Sequence, residues 1–175
     1  MGNQSIASRL MDDIMIKKYD RFFEFCKTGE AFQDIPFTVP GFYKILDREF
    51  PNSKFILTVR NDEEQWYNSI LKFHSKLFSN GNVPTEKDIL KDKMIYTGWR
   101  LKVLKYLYGE SLYSKEFYKN LYTKHNKNVK DYFKDRNEDF LEINVSKNTD
   151  YIKLISFLGV SSSKEGFPWE NKTNK

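Results

Sequence analysis

The chain of 175 residues has one cysteine and two histidines. A single thiol, Cys26, excludes an internal disulfide, and its place on an amphipathic segment favours a role in core packing. The histidines, His74 and His125, lie far apart and lack the close spacing of metal ligands. We therefore expect neither a disulfide framework nor a metal site.

Long hydrophobic runs are also missing. No run approaches the roughly 20 apolar residues that a membrane span needs. The first 20 residues contain Asp12 and Asp13, where a signal peptide would be apolar. These absences predict a soluble, cytoplasmic protein without a membrane span.

The chain has no dense block of one charge. It carries a net charge of +5 and a pI near 9.1, but its lysines are spread among acidic residues. This pattern argues against nucleic acid as the partner and favours a basic surface that attracts a polyanionic donor or an acidic glycan. Hydrophobic residues make up 39% and aromatics 17%, which is enough to bury a core, so we expect a single domain over residues 1–175.

Helical patterns dominate the chain. We expect a first helix over residues 5–27, broken near residues 17–20, and a helix that Pro40 opens and Pro51 ends. Two more helices are predicted within a helical insertion over about residues 85–135, the first capped by Thr85 and the second spanning residues 114–134. The tyrosines of the insertion could form a platform for sugar rings, although helical spacing favours core positions for most of them.

Residues 54–70 read as a strand, a sharp turn and an amphipathic helix. The apolar run from Phe55 to Val59 is typical of a strand covered on both faces, and it ends at Arg60. Ligands of open α/β sheets bind beyond the carboxyl ends of the strands, where a guanidinium suits a phosphate or sulfate. Arg60 could instead form an ion pair with Asp62 or Glu63 that closes the turn.

The sequence FPNSKFILTVR at residues 50–60, followed by WYNS at residues 66–69, resembles the second nucleotide-binding motif of the PAPS-dependent sulfotransferases, the bacterial type in particular. In that family an arginine and a serine of this motif hold the 3′-phosphate of the donor. The resemblance assigns these roles to Arg60 and Ser69. Here the two residues are nine positions apart, whereas the family usually has eight.

Other segments extend the resemblance over about residues 2–173. Residues 29–40 resemble the second core strand of the family and its following loop, and residues 140–145 resemble a later core strand. A helix stopped by Gly159, together with residues 167–173, resembles the closing segment of the bacterial members. The implied fold is α/β, with a short parallel sheet of at least three strands flanked by helices, as in the P-loop-NTPase-like core of a sulfotransferase.

The first phosphate-binding loop of the family has no counterpart here. The only early stretch of glycine and serine, residues 2–5, does not follow an apolar strand. We therefore expect an N-terminally shortened member of the family, and a naturally loopless version is the alternative. The missing strand would expose a sheet edge that could pair with a second copy to give a homodimer.

The resemblance implies sulfuryl transfer from PAPS to a hydroxyl acceptor, and a carbohydrate is the acceptor that we expect. Such transfer needs a base, for which Asp34 and His74 are the candidates. Asp34 could instead only cap the turn into Pro36, and the spacing of five between Ser69 and His74 separates them around the helix. The alternative functions are a non-catalytic scaffold or anion-binding module and, less favoured because a Gly-Lys-Ser/Thr loop is missing, a relative of the nucleotide kinases.

Overall fold

A computed structural model describes residues 4–168 of the chain. Its elements, in chain order, are α1 (Gln4–Arg9), α2 (Met11–Met15), α3 (Asp20–Cys26), α4 (Tyr43–Glu49), β1 (Phe55–Thr58), α5 (Glu63–Phe78), α6 (Glu86–Ile89), α7 (Trp99–Tyr108), α8 (Lys115–Phe133), β2 (Phe140–Ile143) and α9 (Asn148–Leu158). Most of the predicted closing segment, residues 169–173, lies outside the described residues.

The two strands form a parallel sheet in which Phe55 pairs with Phe140 and Thr58 pairs with Ile143. Parallel neighbours need a crossover connection, and helices α5 to α8 supply it. Helix α8 covers one face of the sheet, where the Phe133 ring lies 5.0 Å from that of Phe55 and 5.1 Å from that of Phe140. Helix α9 packs against β2. The predicted α/β class is therefore confirmed.

The expectation of at least three parallel strands is wrong for the described part of the chain, where the sheet has two. Residues 29–34 form no strand, and Phe32 instead stacks on the ring of Phe37 at 5.0 Å. The physical reason is composition, because Phe32 is the only large apolar residue of this segment and cannot supply a buried strand face. The prediction that β1 is covered on both faces is also wrong, since Ile56 is 41% exposed.

The main core lies between the N-terminal helices, α4 and α7. Fully buried members are Met11, Ile14, Phe22 and Trp99. The first predicted helix is three short helices, and the predicted break is confirmed at Lys17, whose φ of 60° is left-handed and separates α2 from α3.

The helical insertion packs on α5 around Tyr67, Ile89 and Tyr118. The predicted Thr85 cap is confirmed as a capping box with Asp88, but the helix it starts is one turn long. The second predicted helix of the insertion is confirmed as α8. None of the helices within residues 4–168 is both long enough and apolar enough to cross a bilayer.

Candidate functional site

The carboxyl ends of β1 and β2 are tied together by side chains that follow each strand. Asn144, which is buried just after β2, donates from Nδ2 to the Asn61 Oδ1 at 2.8 Å. Its backbone N–H donates to the Asp150 carboxylate at 2.8 Å. A hydrogen bond from Lys153 is the main cause that lowers the pKa of Asp150, followed by this one from Asn144, so the carboxylate stays charged and holds the start of α9 at the sheet edge.

The turn after β1 is shaped by the cap of helix α5. Asp62 takes an extended backbone and its Oδ1 accepts a hydrogen bond from the Gln65 backbone N–H at 2.6 Å. The Gln65 side chain in turn accepts from the Asn61 backbone N–H at 2.9 Å. This reciprocal arrangement fixes the first turn of a 16-residue helix, whose positive dipole end lies next to Arg60.

Arg60 is half-buried, and its backbone is fixed from helix α8. The Arg60 N–H donates to the Tyr122 hydroxyl at 2.8 Å, and the Tyr122 ring stacks on Trp66 with centroids 4.9 Å apart. Within residues 4–168, no carboxylate forms an ion pair with the Arg60 guanidinium. The predicted alternative of an ion pair with Asp62 or Glu63 is therefore not formed.

The acids of the first turn of α5 are engaged elsewhere. Lys115 Nζ lies 2.6 Å from the Glu64 carboxylate, and Lys119 Nζ lies 3.4 Å from Glu64 and 3.7 Å from Glu63. Asn68 Nδ2 also donates to Glu64, at 3.2 Å. The hydrogen bond from Lys115 is the main cause that lowers the pKa of Glu64, with further contributions from Asn68 and Lys119.

An open groove of about 510 Å³ runs along the start of α5 and brings Arg60 and Ser69 together. Its other lining residues are Asp62, Glu64, Gln65, Asn68 and Lys72. Ser69 follows Gln65 by four residues, so both lie on one face of the helix. Ser69 therefore lines the groove although it follows Arg60 by nine residues instead of the eight that are usual in the family. A second pocket of about 370 Å³ adjoins it at Arg60 and is lined by Asn144, Lys147 and Thr149 among others.

His74 lies in a buried cluster and lines neither pocket. Its Nδ1 is 3.1 Å from the Tyr113 hydroxyl, and its ring packs on Phe78. Burial, together with the nearby positive charge of Arg100, lowers the pKa of His74 to about 4. The ring is therefore neutral at pH 7.

Asp34 is exposed in the loop before α4 and also lines neither pocket. Its φ is 59°, a left-handed conformation that aspartate tolerates better than most residues. The backbone carbonyl of Asp34 accepts a hydrogen bond from the Thr38 N–H at 3.1 Å, which closes the turn around Pro36.

Sequence reasoning missed the residues that reach the site from distant elements, namely Tyr122, Lys115, Lys119 and Asn144. Asn144 carried a usable signal, since it directly follows the second strand and the ends of parallel strands share one edge. The spacing of four between Lys115 and Lys119 places them on one face of α8, but nothing local indicates which helix they meet.

No metal site accompanies the groove, since the part of the chain that the structure describes has no group of three or more His, Cys, Asp or Glu side chains suited to a metal ion.

A model of the sulfotransferase domain family matches residues 5–175. No curated protein and no solved structure gives a significant match to the chain.

Proposed function

We propose that this chain, which belongs to the sulfotransferase domain family, transfers a sulfuryl group from PAPS to a hydroxyl of a carbohydrate acceptor. Family membership supports sulfuryl transfer in general. The donor and the acceptor are the parts of the proposal that need their own support and their own tests.

The choice of PAPS as the donor rests on the surroundings of the Arg60 guanidinium. Its guanidinium has no ion-pair partner in residues 4–168, it stands at the carboxyl end of β1, and it shares an open groove with Ser69 and Lys72. A dianionic 3′-phosphate would find there a fork of donors, a hydroxyl and the positive end of a helix dipole. Arg60 and Ser69 are therefore the donor-binding residues that we propose.

The reaction places demands on the rest of the site. The acceptor oxygen attacks the sulfur, the bond between sulfur and the donor's 5′-phosphate oxygen breaks, and 3′,5′-adenosine bisphosphate leaves. A base takes the hydroxyl proton of the acceptor. We propose Asp34 for this role over His74, because substrate can reach an exposed carboxylate and cannot reach an enclosed imidazole.

The carbohydrate acceptor rests on the aromatic residues of the helical insertion that the core does not use. Tyr118 and Tyr113 are buried, but Tyr96 and Tyr106 are 43% and 44% exposed. Such rings can stack on the apolar face of a sugar. Replacing both exposed tyrosines by serine should weaken acceptor use and leave donor binding unchanged, and equal loss of both would contradict the proposal.

A titration of the folded chain with 3′,5′-adenosine bisphosphate tests the donor site. We expect Arg60→Ala to weaken binding by about 10- to 100-fold, because a hydrogen bond to a charged group contributes about 1.5–3 kcal/mol and each 1.4 kcal/mol is tenfold in affinity. Arg48→Ala is the matched control, since Arg48 is an exposed arginine on α4 outside the groove. Equal binding by Arg60→Ala and the wild type would overturn the proposal.

A non-catalytic anion-binding module is the second candidate, and one observation favours it. Neither predicted base lines the groove, and the acids that do line it are engaged, Asp62 in the helix cap and Glu64 with lysines of α8. Transfer of a labelled sulfuryl group from PAPS to a panel of sugars separates the two candidates. Binding of the bisphosphate without turnover on any acceptor would favour the module.

A homodimer through the open edge of β1 is also proposed. In the described residues β1 pairs only with β2, so its other edge leaves backbone N–H and C=O groups available to another strand. An elution volume that matches a monomer would count against this pairing.

A further inference from the structure

We propose that Lys115 and Lys119 of helix α8 are positioning residues of the groove, which hold the Glu64 carboxylate away from Arg60 so that the guanidinium stays available to an anion. This inference rests on the proposed function, since it takes the ligand of the groove to be anionic. It concerns two residues that neither the family motif nor the strand pattern includes.

Arg60 shares the groove with acidic side chains, which would compete with an anionic ligand for its guanidinium. Arg60 and Glu64 line the same 510 Å³ groove, four residues apart in sequence. A free carboxylate there would repel a phosphate and would compete with it for the guanidinium. The other acid of the groove, Asp62, is directed into the helix cap, where its Oδ1 accepts a hydrogen bond from the Gln65 N–H at 2.6 Å.

The Glu64 carboxylate is held by the two lysines of helix α8. Lys115 Nζ lies 2.6 Å from Oε1 and Lys119 Nζ lies 3.4 Å from Oε2, so both carboxylate oxygens face α8. Lys119 is well placed for this role because only 21% of its side chain is exposed, and it also reaches Glu63 at 3.7 Å. The Asn68 amide adds a third contact to Glu64 from within α5.

The packing of α8 does not depend on these two lysines. The helix is anchored by Tyr118 near its start and by Val129 and Phe133 near its end, all of them buried. The Glu64 carboxylate that both lysines contact is 41% exposed, and ion pairs of solvated groups contribute little to stability. A variant without the two lysine charges should therefore fold, and the consequence of losing them should appear in the groove.

The lysines could affect an anion in two ways, and a double-mutant cycle separates them. If they act through Glu64, their loss matters only while the Glu64 carboxylate is present. If they attract the anion directly by their charge, their loss matters equally when Glu64 is neutral. Lys115→Met with Lys119→Met, Glu64→Gln and the combination of all three complete the cycle.

Titration with 3′,5′-adenosine bisphosphate is the first readout. We expect the double lysine variant to bind about tenfold more weakly than the wild type, the size of effect that one competing charge pair produces. Adding Glu64→Gln should restore the affinity, and Lys115→Arg with Lys119→Arg should keep it. An equal loss with and without Glu64→Gln, or no loss at all, would overturn the inference.

A second readout needs no ligand and so remains decisive if the donor proposal fails. The side-chain Nε–Hε resonance of Arg60 reports by NMR whether a carboxylate has paired with it. We expect this resonance to shift in the double lysine variant and to return when Glu64→Gln is added. An unchanged resonance in the double lysine variant would overturn the positioning role whether or not the wild type binds the bisphosphate.

Discussion

The backbone N–H of Arg60 donates to the Tyr122 hydroxyl at 2.8 Å, which joins the end of β1 to helix α8 across 62 residues of sequence. The Tyr122 ring also stacks on Trp66 of α5. One side chain thus connects the strand, the helix that carries Ser69 and the helix that carries Lys115 and Lys119. This junction holds the backbone that carries the guanidinium, although Tyr122 lines neither pocket.

Tyr122→Phe should therefore act on both stability and binding. We expect a loss of about 1 kcal/mol in the free energy of unfolding, because the Arg60 N–H loses its partner while the ring keeps its stacking. Affinity for 3′,5′-adenosine bisphosphate should fall by a few-fold as the backbone of Arg60 loosens. Urea unfolding and calorimetric titration measure the two effects. Tyr106→Phe is the control, since the Tyr106 ring is 44% exposed, and matching results for the two variants would contradict the role of Tyr122.

His74 should make the fold sensitive to mild acid. Burial lowers its pKa to about 4, whereas the unfolded chain has a value of about 6.5. Between about pH 6.5 and 4 the unfolded state therefore binds a proton that the native state does not, so the free energy of unfolding falls as the pH falls through this window. The loss from this residue should reach at most about 3 kcal/mol.

Urea unfolding of the wild type and His74→Leu at pH 7.5 and pH 4.5 checks this prediction. The variant should be less stable at pH 7.5, because the Tyr113 hydroxyl loses its partner, but its stability should change less with pH. His125, whose pKa burial also lowers, is present in both proteins, so the difference between their pH profiles isolates His74. Parallel profiles would show that His74 does not titrate in this way.

The strand, turn and helix that carry Arg60 and Ser69 could be predicted because their signals are local. An apolar run and an amphipathic stripe fall within residues 54–78, and the structure has β1 and α5 in that order. The same holds for Thr85 and for Gly159, whose φ of 64° ends α9. Each of these features is decided by residues within one turn of it. The cap that Asp62 forms between β1 and α5 was not predicted.

The features that the sequence did not predict depend on residues that are distant in the sequence. Whether residues 29–34 become a strand depends on a neighbouring strand and a face to cover, and Phe32 packs on Phe37 instead. Whether Arg60 pairs with an acid depends on lysines more than 50 residues away, since Lys115 and Lys119 take Glu64 and Glu63. The spacing within α5 did not decide whether His74 faces the same pocket as Ser69. Its contact with Tyr113 shows that the His74 ring is enclosed.

Asp34→Asn tests the catalytic half of the proposed function. Asparagine keeps the size of the side chain and tolerates the left-handed φ of 59°, so the loop should keep its conformation while the carboxylate is lost. If Asp34 is the base, turnover should fall by about 100-fold or more, the usual contribution of a general base, while binding of 3′,5′-adenosine bisphosphate stays unchanged. Glu30→Gln is the matched control, because it removes another exposed carboxylate from the same loop region. Unchanged turnover in Asp34→Asn would remove Asp34 from the mechanism, and a loss of both turnover and binding would point to a structural role for the loop. The decisive observation is the separation of the two effects, since the loss of a group that takes the acceptor proton slows the chemical step and leaves the donor site intact.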